Sequence, residues 1–326
     1  MTQDKTLERT LTESIRVVTE KEATAAANGS RFSYVVTEED VDMTVKWILK
    51  KRMGFSSRLL TNMKRGGIVT RNGVEVRLFA DVLAGDLIEA VLPEERSNFI
   101  PEDIPIEAVY EDDDMLIINK QPWVVVHPTM GHPTGTITNG LMKRMDDMGR
   151  HFKVRFVNRL DRDTSGLLIV AKNSHCQDTL SKHMKSDDVE KRYYAVVHGV
   201  IAEDSGTINL PIDRAHPDDI RRCVIETGYP SITHFNVVER FDAGFTMVEL
   251  RLETGRTHQI RVHMSHMGHP LVGDSLYGQE EPELIERQAL HSYYLKFRHP
   301  VTEEEKEVKA GLPEDIKALI EKLRAM

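Results

Sequence analysis

Five apolar residues in succession, Leu167-Leu168-Ile169-Val170-Ala171, follow directly on a polar run that ends in glycine, Val157-Asn158-Arg159-Leu160-Asp161-Arg162-Asp163-Thr164-Ser165-Gly166. An unbroken apolar stretch of this length, bounded by a turn signal, reads as a buried strand. A polar loop abutting such a strand is where a rigid scaffold can hold a reactive group. Two carboxylates, Asp161 and Asp163, stand there among Arg155, Arg159 and Arg162. A neighbouring cation favours the charged form of a carboxylate and keeps it available as a nucleophile. Taken alone, an Arg- and Asp-rich loop is more often a surface ion-pair cluster.

Other strands are expected at Met115–Asn119, Arg192–Val200 and Thr246–Leu252. A helix is expected over His175–Lys185, with Cys176, Leu180 and Met184 on its buried face. Strict strand-helix alternation is missing, so the reading is an α+β domain with a mixed, largely antiparallel sheet over residues 105–326. The chain of 326 residues has room for a second domain, and 40% hydrophobic with 29% charged residues is ordinary for a globular protein. No apolar run approaches the length of a membrane span. The start, MTQDKTLERT, lacks the basic-then-apolar order of a secretion signal. Cys176 and Cys223 lie far apart without metal or redox spacing, so they are expected as reduced thiols in the cytoplasm.

The net charge of −9 conceals a polar distribution. Residues 44–77 carry nine Lys and Arg against the single acid Glu75, whereas residues 94–114 carry nine acids against Arg96 alone. A basic block beside an acidic strip suits a polyanion-binding module joined to another domain. Residues 1–30 read as a loose amphipathic helix or a flexible extension. Residues 31–92 read as the module. Arg31 to Val36 forms a strand, and Thr37-Glu38-Glu39-Asp40 fits a capping box. That box opens a helix with Val45, Ile48 and Leu49 on one face, ending at Gly54. Ser56 or Ser57 caps a second helix from Arg58 to Lys64. Asn72-Gly73, between Ile68–Arg71 and Val74–Val76, is a strong hairpin signal, and Leu83–Val91 supplies a further strand. Residues 93–104, acidic and with Pro93 and Pro101, read as a linker held extended rather than packed.

Two further runs could carry chemistry. Gly255-Arg256-Thr257-His258-Gln259-Ile260-Arg261 fits a strand-to-helix junction, with Ile260, Met264 and Met267 as the buried stripe and Arg256 pointing away from the core. His258, His263, His266 and His269 match neither the His-Glu-x-x-His pattern nor a Cys cluster, so no metal is expected. Lys191-Arg192-Tyr193-Tyr194-Ala195-Val196-Val197-His198-Gly199 is a β-branched strand whose two tyrosines face opposite sides.

Two short basic helices followed by a hairpin resemble the S-four-type RNA-binding module. The Arg-Leu-Asp-x-x-Thr-Ser-Gly, Lys-Arg-Tyr-Tyr and Gly-Arg-Thr-His-Gln-Ile-Arg runs, in this order, resemble the signature motifs of the RluA-type pseudouridine synthases. Ile117 to Pro128, Leu271 to Gly278 and Leu290 to Leu295 extend the likeness over residues 105–310. Asn158 departs from it, standing where many members have His.

The resemblance implies an isomerase that detaches uracil from its ribose, turns it, and rejoins it through carbon 5, without cofactor or metal. It implies Asp161 as nucleophile, Arg256 as the arginine that pairs with Asp161, and Tyr193 as the tyrosine that stacks on the uracil, with Asp163 structural. The target base must leave its stack, and contacts to the flanking RNA offset that cost. Arg58, Lys64, Arg65, Arg159, Arg162, Arg221 and Arg222 are the candidates for those contacts. Large-subunit rRNA is the favoured substrate, with tRNA as the alternative, and the protein is expected to act as a monomer away from membranes. The rival readings are a non-catalytic RNA-binding protein and a hydrolase using Asp161 and Asp163 as an acid/base pair.

Overall fold

The computed structural model describes residues 30–186 and 188–326, so the extension expected over 1–30 falls almost wholly outside the described residues. The chain opens with β1 (Arg31–Val35), then one turn of 3-10 helix at Glu38–Asp40, α1 (Val45–Lys51) and α2 (Ser57–Met63). β2 (Ile68–Arg71), β3 (Val74–Glu75) and β4 (Leu87–Val91) follow, and the four strands pair antiparallel in the order β1-β4-β2-β3. Asn72 (φ 53°) and Gly73 (φ 81°) form the left-handed pair that a two-residue hairpin requires.

The start of the first helix differs from expectation. Thr37 and Asp40 do form a capping box, but the turn they open ends at once. Asp42 sits at φ 68°, a left-handed backbone that stops a helix. Meanwhile the buried Asp40 carboxylate is held by Arg52 (Nε–Oδ1 2.7 Å) and the Tyr34 hydroxyl (2.8 Å). Val45, Ile48 and Leu49 therefore lie on a separate helix capped by Thr44.

The rest of the chain is organised by one large sheet. It contains β5 (Glu107–Glu111), β6 (Met115–Lys120), β7 (Arg155–Phe156), β8 (Ser165–Ala171), β9 (Val189–His198) and β10 (Ser205–Asn209). A short pair, β11 (Ile212–Asp213) and β12 (Cys223–Val224), stands apart from it. β13 (Ile232–Phe241), β14 (Phe245–Leu252), β15 (Leu290–Arg298) and β16 (Glu305–Lys309) complete the sheet. The main order is β10-β13-β14-β9-β15-β8-β6-β5. Among its described pairs only β15 with β8 is parallel, so the sheet is mixed and largely antiparallel.

Every residue of β8 is buried. Leu168 and Val170 face a core that includes Ile137, Leu141 and Met145 of α3 (Ile137–Met148). Leu167, Ile169 and Ala171 face the opposite core, with Cys176 and Leu180 of α4 (Ser174–His183). Gly166 makes the central pairing possible. Its φ is 114°, and a Cβ there would lie 2.1 Å from the Ser292 carbonyl oxygen of β15. Two further helices complete the described fold, α5 (Gln259–His266) and α6 (Glu314–Ala325), whose Ile316, Leu319, Ile320 and Leu323 pack with Val196 and Met247. On α5, Ile260 and Met264 are buried as expected, but Met267 falls beyond the helix end and is 45% exposed. No helix among the described residues is long and apolar enough to cross a membrane.

The acidic segment after β4 is extended but not free, which corrects the linker reading. Glu95 pairs with Arg155 and Lys153, Phe99 packs on the core, and Asn139 donates to the Ile100 carbonyl (2.8 Å). The N-terminal unit is seated directly on α4. His175 lies against Phe32 and Phe55, with ring centroids 5.1 and 5.2 Å apart, and Ser56 donates to Asp178 (2.7 Å).

Candidate active site

Asp161 begins a tight turn into β8, closed by the Thr164 N–H donating to the Asp161 carbonyl (3.2 Å). The next two carbonyls of that turn are held by buried cations. The Lys120 ammonium donates to the Arg162 carbonyl (2.8 Å), and to those of Gln121 and Val124. Arg287 donates to the Asp163 carbonyl (3.0 Å) while its other nitrogens grip Asp315 (2.6 and 3.0 Å). Burial pushes the Lys120 pKa down to about 7, against the pull of the Asp163 and Asp161 charges. Three carbonyl acceptors are what its protonated form needs. Asn158 steadies the loop from its other end. Its side chain accepts from Ile169 N–H (2.7 Å) and donates to the Leu167 carbonyl (3.2 Å), acting as a strand partner to β8.

The partner of Asp161 is Arg261, not Arg256. Arg261 Nη1 lies 3.1 Å from Asp161 Oδ2. Its Nε and Nη2 make a two-pronged bond to the fully buried Asp274 (2.7 and 2.8 Å), and its guanidinium lies over the Tyr277 ring (5.1 Å). Burial alone would lower the Arg261 pKa. The hydrogen bonds and charge of Asp274, together with the charge of Asp161, more than reverse that and raise it. The site thus fixes a permanent cation against the carboxylate. Arg256, assigned to that role by resemblance, lies on the exposed loop before α5. It donates from Nε to the Pro230 carbonyl (3.2 Å) and covers the Tyr229 ring (5.3 Å).

His258 is a site residue that the sequence reading passed over as one of four histidines. Its Nε2 lies 3.9 Å from Asp161 Oδ2, and its Nδ1 bonds the Tyr277 hydroxyl (2.8 Å). It holds φ 58°, a left-handed backbone uncommon for a non-glycine residue and typical of places where the surroundings over-determine the chain. Its pKa is lowered, first by burial and then by the Arg261 charge. The other histidines of the run go elsewhere: His263 bonds Thr233 and the Leu210 carbonyl, and His269 bonds the His198 carbonyl.

Tyr193, on β9, is buried in the core that also holds Leu160 and Ile260, and it feels the Asp161 charge. Its pKa is pushed up to about 12, first by burial and then by that carboxylate, so the phenol is neutral in the resting site. Its neighbour Tyr194 faces the opposite side, stacked on Tyr293 at 4.0 Å. Asp163 faces away from Asp161's role, with its carboxylate taken by the exposed Arg162 (2.8 and 3.0 Å).

Of the expected RNA contacts, Arg159 is exposed and donates to the Thr257 hydroxyl (2.5 Å). Arg221 and Arg222 line a cleft of about 420 Å³ with Tyr277 and Ser265, and the Arg222 N–H donates to the Tyr277 hydroxyl (2.7 Å). Arg58, Lys64 and Arg65 are exposed on and just after α2. A second cavity, about 350 Å³, is lined by Arg31 and Leu92 of the N-terminal unit, by Glu94 and Glu95 of the acidic segment, and by Leu141 and Met145 of α3. The Asp161 cluster is the better candidate because it joins a partly exposed carboxylate to a fixed cation and a buried phenol.

The profile of the RNA pseudouridylate synthase family matches residues 114–266. The chain is similar to an uncharacterized RNA pseudouridine synthase of Bacillus subtilis, 46% identical over 282 residues, which are 85% of this chain and 98% of the relative. It is also similar to the ribosomal large subunit pseudouridine synthase D of Escherichia coli O157:H7, at 36% identity over 86% of this chain and 85% of the relative. Among solved structures, human RNA pseudouridylate synthase domain containing 1 superposes with a TM-score of 0.54 at 30% identity, covering 68% of this chain and 96% of the human one.

Proposed function

From the premise that this chain belongs to the RNA pseudouridylate synthases, isomerases acting on RNA, we propose that Asp161 is its nucleophile and large-subunit rRNA its substrate. The observation that carries the assignment is convergence. Asp161, Tyr193 and Arg261 come from three separate motifs, and the Asp161–Arg261 bond spans 100 residues of sequence.

Each residue has a physical role in that reading. Arg261 aims the Asp161 carboxylate, and stabilises negative charge as the base detaches. Because Asp274 holds Arg261 from the other side, the cation needs no rearrangement when the reaction begins. The carboxylate opens the glycosidic link by attack at carbon 1′, attack at the base, or elimination to a glycal. All three routes use the same oriented group. Tyr193 offers an aromatic face to the extruded uracil. Its raised pKa suits a phenol that holds its proton until the base is seated.

The uridine must leave its stack to reach Asp161, at a cost of a few kcal/mol. The exposed cations Arg159, Arg58, Lys64 and Arg65 support the view that backbone contacts offset this cost. The N-terminal unit, with its helix pair and hairpin, is assigned as an S-four-type RNA-binding module over residues 31–92. The large-subunit preference is supported by relatives named for that subunit.

Mapping pseudouridines across rRNA and tRNA in cells lacking the gene tests the reading. One or more sites in large-subunit rRNA are expected to disappear and to return with the wild-type gene but not with Asp161→Asn. Loss of a tRNA site alone would overturn the substrate assignment.

A further inference from the structure

Arg256 is left without the role that resemblance gave it, yet it is built into its place. We propose that Tyr229 and Arg256 form a stacking platform for a nucleotide of the RNA that neighbours the isomerised uridine. This rests on the functional reading above for the identity of the ligand.

Tyr229 is 60% exposed, with the Arg256 guanidinium over its ring at 5.3 Å. An exposed phenol ring of this kind is normally loose, but here the backbone beneath it is fixed. Tyr229 and Ile212 exchange both N–H···O bonds at 3.0 Å, and the Ser231 hydroxyl donates to the Tyr229 carbonyl (2.9 Å). The loop bearing Arg256 is tied to the same strand end by Gln259, which is buried. Its amide nitrogen donates to the Ile232 carbonyl (2.9 Å) and the Thr233 hydroxyl (3.0 Å), while its amide oxygen accepts from the Arg256 N–H (3.0 Å). One buried side chain therefore sets the spacing between the ring and the cation.

The charge is also unspent. Among the described residues Arg256 makes no ion pair, so its guanidinium can serve a phosphate or lie flat against a base. Thr257, next in the chain, accepts from Arg159, which stands two residues before Asp161. Through that bond Arg159 ties the loop bearing Arg256 to the turn bearing Asp161. A largely exposed planar ring with a cation over it suits an unstacked base, and the contact is tolerant of sequence.

The test uses the full chain and an unmodified large-subunit rRNA transcript carrying tritium at carbon 5 of uridine, which is released as pseudouridine forms. Tyr229→Ala is expected to raise the half-saturating enzyme concentration roughly tenfold, the loss of one base-aromatic stack. The single-turnover rate at saturation stays within about twofold of wild type, as for a contact made equally before and during reaction. Tyr229→Phe, which keeps the ring, restores the wild-type value. An unchanged half-saturation in Tyr229→Ala, or a Tyr229→Phe variant as defective as Tyr229→Ala, overturns the platform. If wild type releases no tritium, the functional reading fails. The platform is then judged by filter binding of the same transcript, where equal affinity of Tyr229→Ala and wild type refutes it and weaker affinity supports it.

Discussion

The turn at Asp161 and the helix pair near the start of the described chain are both rich in cations, and use them in opposite ways. Around the turn, Lys120, Arg261 and Arg287 are buried and each is fully engaged with carbonyls or carboxylates. Along α1, α2 and the residues after them, Lys50, Lys51, Arg58, Lys64 and Arg65 are exposed, and none makes an ion pair among the described residues. Buried charge is expensive, so it persists where it fixes geometry to a fraction of an ångström. Exposed charge cannot fix geometry, but it remains available to a polyanion. In the proposed function, reaction and grip therefore fall to different cations.

The sharpest way to break this contrast is to exchange its consequences at the two arginines of one motif. Arg261→Ala leaves Asp274 buried without its counter-charge, and is expected to cost about 3–5 kcal/mol in denaturant unfolding along with most of the single-turnover rate. Arg256→Ala, at the surface, should stay within about 0.5 kcal/mol of wild type and keep its rate at saturating RNA. Equal losses in the two variants would erase the distinction.

A smaller effect is expected at the seam between the two regions. Burial lowers the His175 pKa to about 4 from an ordinary 6.5, so the seated unit holds a neutral ring against Phe32 and Phe55. Between those values the unfolded chain binds the proton and the native one does not, so stability rises with pH through this window and is lost as pH falls. From pH 7 to pH 5 the His175 contribution should decline by about 2 kcal/mol. His175→Phe should remove that part of the pH dependence, read from unfolding curves at the two pH values. An unchanged slope would show that the ring is not buried neutral.

The smallest change belongs to the exposed cations. Replacing Arg58, Lys64 or Arg65 singly by Ala should weaken RNA binding and flatten its salt dependence by about one counterion each. Turnover at saturation should not change. A variant that lost rate at saturating RNA would place that cation with the reacting group instead.

What could be read in advance follows the range of the interaction. The Asn72-Gly73 hairpin and the β8 strand declared themselves because their causes are local: left-handed turn residues, and an apolar run without alternation. The polar loop before β8 was recognisable for the same reason. Arg261 was not, because a charge on a helix is normally solvated. Its burial depends on Asp274, which follows a separate turn at Gly273 and brings the carboxylate up from outside the helix. Arg256 and Arg261 share a motif, and only that remote partner decides which one faces Asp161. The acidic segment misled for a related reason. Its charge and prolines predict extension, and they say nothing of Arg155 and Asn139, which hold it down.

The central claim is that Asp161 is the group that reacts. The direct measurement is tritium release from carbon 5 of uridine in unmodified rRNA by purified Asp161→Asn, in single turnover, beside an RNA-binding curve for the same protein. Substituting Asn keeps the size of the side chain and its reach to Arg261 while removing the anion. The account expects RNA affinity close to wild type and no release above background. Release at a rate near that of wild type would contradict it.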